Sequence, residues 1–227
     1  MFPKGPAHAG AFDLEGKEVT INLAPEVHAT VAGKVLTTAK LDPDNSGHAS
    51  LVEIGSLQFY VIVRGERVGI RLKDLESPAI SNFKGLTFYP LDLNYRVSAT
   101  WEPSDGKKTI DVPNVLGDVT HVHVPGMVVF EINGRQQRLT ALGGDPSKGL
   151  SFVFNDLTAK TDTYPGGRFL DTDAVVNGTV ILDFNRAYNP PCAVTPYATC
   201  PLAPKENRLA VAISAGEKFD KAAHVRH

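Results

Sequence analysis

The side chains best suited to chemistry are crowded into one C-terminal segment, residues 164–218. Asp183, Asn185 and Arg186 close an apolar, strand-like run, and a proline-rich stretch follows them. Because each proline removes backbone freedom, such a loop can fix side chains without helical support. The pattern predicts a rigid polar cluster, which either lines a pocket or forms a buried network that holds the loop.

If the cluster lines a pocket, its residue types supply the parts of a small hydrolase. Asp183 or Glu217 would serve as general base, and Tyr188 or Tyr197 would donate a proton. Cys192 would be a nucleophile only beside a basic partner, and no histidine adjoins it in the sequence. The predicted catalytic residues are Asp183, Arg186, Tyr188, Cys192, Tyr197 and Glu217.

Cationic and amide side chains of the same segment would hold the substrate, since guanidinium and ammonium groups suit an anion or a carbonyl oxygen. The predicted ligand-binding residues are Arg168, Asn185, Asn189, Thr199, Cys200 and Lys218. We expect a small ester or lactone, for example an acyl-homoserine lactone, with water activated by a carboxylate or a metal ion. The alternative is a non-catalytic module that binds a small anionic ligand or a phosphopeptide. The oligomeric state stays open.

A second candidate site is a twelve-residue calcium-loop pattern at residues 42–53. Oxygen donors fall at its first, third and fifth positions, glycine at the sixth and a carboxylate at the twelfth. The predicted metal ligands are Asp42, Asp44, Ser46, His48 through its backbone carbonyl, and Glu53. The flanking sequence is strand-like, and the same composition suits a polar β-turn, so both interpretations stay open.

Two histidines form a third candidate, because His121 and His123 fall on one face of a predicted strand. Paired histidines can bind zinc, with Asp118 as the nearby third ligand. The alternative is a solvent-facing pair that alternates with the inward Val122 and Val124.

Composition and motifs exclude several functions. The 227 residues carry a formal charge of −2 and no run of like charge, so we expect no nucleic-acid partner. No apolar run approaches the ~18–20 residues of a membrane span, and the N-terminus lacks a secretory pattern. We therefore expect a cytoplasmic protein with no membrane partner, in which Cys192 and Cys200 are free thiols. No phosphate-binding loop, dinucleotide fingerprint or Gly-x-Ser-x-Gly turn occurs, so Ca²⁺ is the one cofactor indicated and no nucleotide or flavin is.

The elements that must position these residues are mainly strands. Alternating apolar and polar residues, with 20 Gly and 16 Pro, predict antiparallel meanders in a β-sandwich or barrel with few helices. Asn133-Gly134 is the clearest hairpin signal, 209–213 reads as the last strand, and one short helix is expected near 78–83. We expect a small N-terminal β unit over residues 1–85 and a larger C-terminal β domain over 86–227, with a single continuous sheet as the alternative. A loose tail is expected from Phe219 to His227.

The run DFNRAYNPPCAVTPYATCPLAPKENRL at residues 183–209, with GGRFL before it and AGEK after it, resembles an uncharacterised bacterial and archaeal family, domain of unknown function 1684. The resemblance extends from about Pro6 to Lys218. It implies that this segment is the family's hallmark and transfers no reaction. Family members commonly carry a Trp-, Leu- and Gly-rich segment before Ala7-His-Ala-Gly10, so we expect that this chain starts late or was trimmed. The calcium-loop pattern and the histidine pair lie outside the family's pattern.

The stretch Ala7-His-Ala-Gly10 and the strands after it also resemble, faintly, a forkhead-associated β-sandwich. Those phosphothreonine readers need a Gly-Arg strand and a Ser before the His, whereas this chain has Pro6 and no such strand. The resemblance therefore implies the fold of the N-terminal unit and not its function.

Overall fold

The chain is mostly β, as its alternating pattern predicts. The computed structural model describes residues 4–220, and within them seventeen strands form five open sheets in which every strand pair is antiparallel. The chain divides into two compact units, Met1–Phe83 and Lys84–His227. Most of the tail expected from Phe219 to His227 lies outside the described residues.

The N-terminal unit contains a three-stranded and a five-stranded sheet, ordered β1-β2-β5 and β4-β3-β6-β7-β8. Val52, Phe59 and Val61 are fully buried in its core. A short helix, α1 (Pro78–Asn82), confirms the helix expected near residue 78; Ser77 caps it and proline occupies its first turn. The strands are β1 Gly10–Glu15, β2 Glu18–Leu23, β3 Ala29–Val31, β4 Lys34–Leu36, β5 Thr38–Leu41, β6 Val52–Ile54, β7 Leu57–Arg64 and β8 Arg67–Asp74.

The C-terminal unit contains three sheets, ordered β13-β12-β9-β17, β14-β15-β16 and β10-β11. The predicted Asn133-Gly134 hairpin is confirmed: it joins β12 to β13, and both residues have the positive φ that a type I′ turn requires, 52° and 68°. The strands are β9 Arg96–Pro103, β10 Thr109–Pro113, β11 Val119–His123, β12 Gly126–Ile132, β13 Arg135–Thr140, β14 Gly143–Asp145, β15 Gly149–Phe154, β16 Arg168–Asp171 and β17 Thr179–Asp183.

Beyond β17 the chain continues through residue 220 in 3-10 turns and extended backbone. The turns are Phe184–Arg186, Pro191–Ala193 and Lys205–Asn207. The strand expected at 209–213 was wrong, although its alternation is real, since Leu209, Val211 and Ile213 are all buried. The backbone there bonds in part to residues 155–157: the Leu209 amide donates to the Asn155 carbonyl oxygen, and the Leu157 amide donates to the Val211 carbonyl oxygen. Side chains bond the rest, since Asp156 Oδ1 accepts from the Ile213 amide and Arg168 donates to the Ile213 carbonyl oxygen. The segment therefore packs like a strand but pairs only at isolated positions.

Candidate functional site

Strand β16 separates two groups of polar side chains in the C-terminal unit. Its side chains alternate between faces, as in any strand. Arg168 and Leu170 are buried against the core, whereas Phe169 and Asp171 line a cavity. Gly167, just before the strand, has a φ of +109°, and a Cβ there would lie 2.8 Å from both Ala203 Cβ and the Phe154 carbonyl oxygen. Glycine is therefore required where the chain enters this strand.

On the buried face, Arg168 is the largest of the fully buried side chains among the described residues. Its Nη2 donates to Asp156 Oδ2 at 2.8 Å and to the Ile213 carbonyl oxygen at 3.0 Å. Its Nη1 donates to the carbonyl oxygens of Ala215 and Glu217. The guanidinium carbon lies 5.1 Å from the centre of the Phe154 ring. A buried charge is tolerated only with such compensation, so the geometry is that of a structural node.

The carboxylate of Glu217 extends this node. Its two oxygens accept from the backbone amide and the Nδ2 of Asn189, each at 2.9 Å, and Asn189 Nδ2 also donates to the Lys218 carbonyl oxygen. Gly216 precedes Glu217 with a φ of +76°, and a Cβ there would lie 2.6 Å from two backbone oxygens. We refer to Arg168, Asp156, Asn189 and Glu217 as the Arg168 cluster.

The side chain of Asn207 holds two neighbouring strands together. It is fully buried; its Oδ1 accepts from the Thr140 amide at 2.7 Å, and its Nδ2 donates to the carbonyl oxygens of Thr140 and Val153. One amide thus links the ends of β13 and β15, and no local pattern in the sequence marks it.

The predicted residues Asp183 and Asn185 lie together and bind the backbone. Asp183 Oδ1 accepts from the amide and the Nδ2 of Asn185 and so caps the turn that follows β17. Asn185 exchanges hydrogen bonds with the amide and carbonyl of Asp92. Arg96 lies 3.8 Å from Asp183, and the exposed Arg186 lies 3.8 Å from Asp173. This pair therefore attaches the segment at residue 92 to the end of β17.

The cysteines lie in a different cluster. Cys192 and Cys200 are both buried and unbridged, and pack with Ala198, Val115 and Tyr164. Burial raises the pKa of the Cys192 thiol to about 11, so it is protonated at neutral pH.

The remaining predicted residues of this segment lie at or near the surface. Tyr197 is 75% exposed and Thr199 is exposed. Lys218 lies 3.9 Å from Asp162 and over the ring of Tyr89.

The open face of β16 borders a cavity of about 360 Å³. Three of its polar lining groups are bonded to one another: Ser151 Oγ donates to Asp171 Oδ1 at 2.7 Å, and the Tyr188 phenol donates to Asp171 Oδ2 at 2.8 Å. We refer to these three residues as the Asp171 group. The remaining lining residues are Val112, Val122, Leu142, Gly143, Phe152, Val153, Phe169 and Pro201. The arrangement is an apolar recess with one polar edge.

Tyr188 is the residue of the predicted site that reaches this cavity, while the other predicted residues lie in the clusters described above or on the surface. Its ring meets that of Phe169 edge to face, with centroids 5.6 Å apart. Burial and the bond to Asp171 raise the pKa of Tyr188 to about 12, so the phenol stays protonated and can donate a hydrogen bond at neutral pH. Sequence reasoning missed Ser151 and Asp171. The signal available was alternation, which sets Asp171 on the face opposite to Arg168.

In the calcium-loop pattern, the side-chain oxygens of Asp44, Ser46 and Glu53 are bonded to other groups of the protein. Asp44 pairs with Arg64 at 2.7 Å, which lowers the pKa of Asp44, and it also accepts from the Val63 amide. Ser46 bonds within the turn, which Gly47 closes at a φ of 86°, and Asp42 pairs its backbone with Ser50. Glu53 belongs to β6 and accepts from Gln58 and Thr30. Across residues 4–220, no three His, Cys, Asp or Glu side chains form a group that could hold a metal ion.

The histidine pair lies on the outer side of the β10-β11 hairpin. His121 and His123 are both exposed, and His121 Nδ1 lies 2.6 Å from Asp111 Oδ1. Val124 is buried and Val122 lines the cavity. This is the alternation that the solvent-facing interpretation predicts.

The fold and the cavity define a mostly β protein with an apolar recess in its C-terminal unit. A family model described as protein of unknown function (DUF1684) matches residues 81–218. The chain belongs to this family, and the predicted resemblance is confirmed over residues 81–218, which include the hallmark segment, the Arg168 cluster and the cavity. Its extension toward Pro6 stays a prediction.

A solved structure is similar to a large part of the chain. It is the solution NMR structure of an uncharacterized protein from Haloarcula marismortui, with a TM-score of 0.52 and 30% sequence identity over 64% of this chain and 82% of that chain. No curated protein matches the chain. Among the described residues, no helix has the length and apolar character that crossing a membrane would take.

Proposed function

We propose that the C-terminal unit binds a small, mainly apolar molecule in the cavity beside β16. The observation that carries this proposal is the cavity itself, because about 360 Å³ of apolar recess with a single polar edge is the usual form of a small-molecule site. Asp171, whose oxygens already accept from Ser151 and Tyr188, would fix the polar end of the ligand.

The charge of Asp171 sets the ligand's chemistry. A carboxylate at the polar edge favours a hydrogen-bond donor or a cation, and opposes the small anion or phosphopeptide that the sequence suggested. We therefore expect a ligand with an apolar body and an amine, amide or hydroxyl donor at one end. A cytoplasmic location, with no nucleic-acid or membrane partner, belongs to the same proposal.

Ligand binding can be tested with 1-aminoanthracene, an apolar fluorophore with one amino group. Saturable fluorescence enhancement is expected with the wild-type protein. Gly143→Phe should abolish it by filling the cavity, because a Cβ at Gly143 meets no atom within 4 Å and the backbone there needs no glycine. Gly143→Ala is the matched control and should bind normally. Equal binding by Gly143→Phe, with an unchanged circular dichroism spectrum, would exclude this cavity.

Hydrolysis of a small ester or lactone is a second candidate function, favoured by the carboxylate and phenol side by side at the cavity edge. Asp171 would accept a proton from water, and Tyr188 would donate to the developing oxyanion. Calcium would contribute only through the loop at residues 42–53, which belongs to the N-terminal unit.

Turnover of p-nitrophenyl butyrate and of N-butanoyl-homoserine lactone, with and without chelator, tests this candidate. Activity that is lost in Asp171→Asn supports hydrolysis, and loss on chelation would add a metal requirement. Saturable probe binding without turnover would support ligand binding and exclude hydrolysis of these substrates. Turnover that is unchanged in Asp171→Asn would exclude Asp171 as the general base.

A further inference from the structure

Cys192 and Cys200 meet in a small buried cluster that neither the cavity nor the Arg168 cluster uses. The Cys192 amide lies 3.3 Å from Cys200 Sγ, and the two thiols are in hydrogen-bonding contact. Each side chain is at least nine-tenths buried, beside Ala198 and the partly buried Val115 and Tyr164. Two thiols in contact are near enough to each other for a disulfide to form with a small movement of the loop.

We propose that Cys192 and Cys200 form a redox modification site, a dithiol that a low-molecular-weight disulfide such as oxidised glutathione converts into an intramolecular disulfide. This inference goes beyond the proposed function and does not depend on it. A soft-metal site is the other use of two thiols, but within residues 4–220 no third His, Cys, Asp or Glu joins them in a group that could hold a metal.

The chemistry is thiol–disulfide exchange in two steps. With the loop open, one cysteine loses its proton and its thiolate attacks glutathione disulfide, which forms a mixed disulfide and releases one glutathione thiolate that takes up a proton. The second cysteine then loses its proton and attacks the protein sulfur of the mixed disulfide, releasing the second glutathione. The protein dithiol is oxidised by two electrons, and one glutathione disulfide is reduced to two glutathione thiols.

Access comes from the position of the cluster under a surface loop. Tyr197 is 75% and Val194 56% exposed, and a short 3-10 turn at Pro191–Ala193 carries Cys192. The backbone hydrogen bonds from Ala193 to Pro190 and from Val194 and Thr195 to Pro191 lie within this loop, so breaking them to open the turn leaves the sheets intact. On closing, the disulfide fixes residues 192–200 next to Pro201, which lines the cavity.

Equilibration of the native full chain in glutathione buffers of stepped redox potential tests the proposal. Samples are quenched with acid, alkylated and mapped by mass spectrometry. We expect one two-electron transition to a peptide pair linked through Cys192 and Cys200, lighter by two hydrogens. Closure of this short ring should raise the Tm by about 5 °C relative to the reduced protein.

The single variants Cys192→Ser and Cys200→Ser are matched controls. Each should carry at most one glutathione and show no rise in Tm on oxidation. Because these substitutions alter a packed cluster, the proposal is judged on the mass-spectrometric peptide map of the wild-type protein. The proposal is overturned if both thiols stay alkylatable at every potential, if the linkage joins two chains, or if the pair forms only in urea.

Discussion

The two faces of β16 carry polar groups of opposite character. On the buried face, the Arg168 guanidinium is surrounded by one carboxylate and three carbonyl oxygens and is inaccessible to solvent. On the open face, Asp171 is exposed and bonded to two hydroxyl groups at the edge of a cavity. Polar residues that are crowded in the sequence can therefore be bonded to the protein's own backbone and serve structure. The cavity, in contrast, is lined by residues that lie far apart along the chain.

The two faces should also differ in energy. Removing one partner of a buried ion pair leaves the other charged in a medium of low dielectric constant. Removing a partner at an exposed edge lets water replace it, so the effect on stability is small. Substitutions on the two faces therefore separate stability from ligand binding.

The largest expected effect is that of Arg168→Met, which leaves Asp156 buried without its ion-pair partner. We expect the free energy of unfolding to fall by about 3–5 kcal/mol. Urea unfolding followed by the fluorescence of Trp101, the single tryptophan, reports on the C-terminal unit. The matched control is Arg186→Met, which removes an exposed, 3.8 Å pair and should change stability by no more than about 0.5 kcal/mol. Similar losses in both variants would contradict the comparison.

Asn207→Ala should have the next largest effect on stability. It leaves the Thr140 amide and two carbonyl oxygens buried without partners, so we expect a loss of about 2–3 kcal/mol. Asn155→Ala is the control, since the Asn155 side chain makes a single bond, to the Pro165 carbonyl oxygen, near the surface. A loss below that of Asn155→Ala would show that Asn207 does not hold the strands.

Asp171→Asn should affect binding more than stability. We expect affinity for 1-aminoanthracene to fall about tenfold, the equivalent of one charged hydrogen bond, with a change in stability below about 1 kcal/mol. Fluorescence titration and urea unfolding of the same preparation measure the two quantities. Asp173→Asn, a neighbouring exposed carboxylate, should leave both unchanged. A large loss of stability in Asp171→Asn would show that the open face of β16 contributes to stability as the buried face does, and would contradict the expected difference.

The smallest expected effect is a pH dependence from Tyr188. Its pKa is raised from 10.0 in the unfolded chain to about 12 in the folded protein, by burial and by Asp171. The protonated phenol therefore contributes stability that is fully present below pH 10 and is lost as the pH rises toward 12. Other tyrosines titrate too, so the difference between wild type and Tyr188→Phe is measured from pH 9 to 11. A difference that does not shrink with rising pH would contradict this assignment.

Much of the fold follows from local pattern. Alternation gave β7 and β12, and Asn133-Gly134 located a hairpin because only residues that tolerate positive φ fit that turn. Residues 209–213 show where local pattern fails. Their alternation is genuine, but their backbone bonds partly to Asn155 and Leu157 and partly to the side chains of Asp156 and Arg168, all more than forty residues away. The local pattern predicts which side chains are buried, but it does not predict which groups form hydrogen bonds with the backbone.

The candidate site was less predictable for the same reason. Tyr188 was singled out by residue type, but its partner Asp171 is 17 residues earlier and Ser151 a further 20, joined by the register of β15 and β16. Register between strands depends on the whole sheet. The calcium-loop spacing at residues 42–53 also says nothing of Arg64, which pairs with Asp44.

The acceptors of Arg168 have a consequence for synthesis of the chain. Three of the four, the carbonyl oxygens of Ile213, Ala215 and Glu217, come 45 to 49 residues after the arginine. While translation proceeds from the N-terminus, the guanidinium has Asp156 alone until these residues emerge. A nascent chain cut before residue 213 would contain all seventeen strands and still bury an undercompensated charge. Residues 213–217 thus complete the compensation of the Arg168 charge, and we expect the core of the C-terminal unit to become stable only once they are in place.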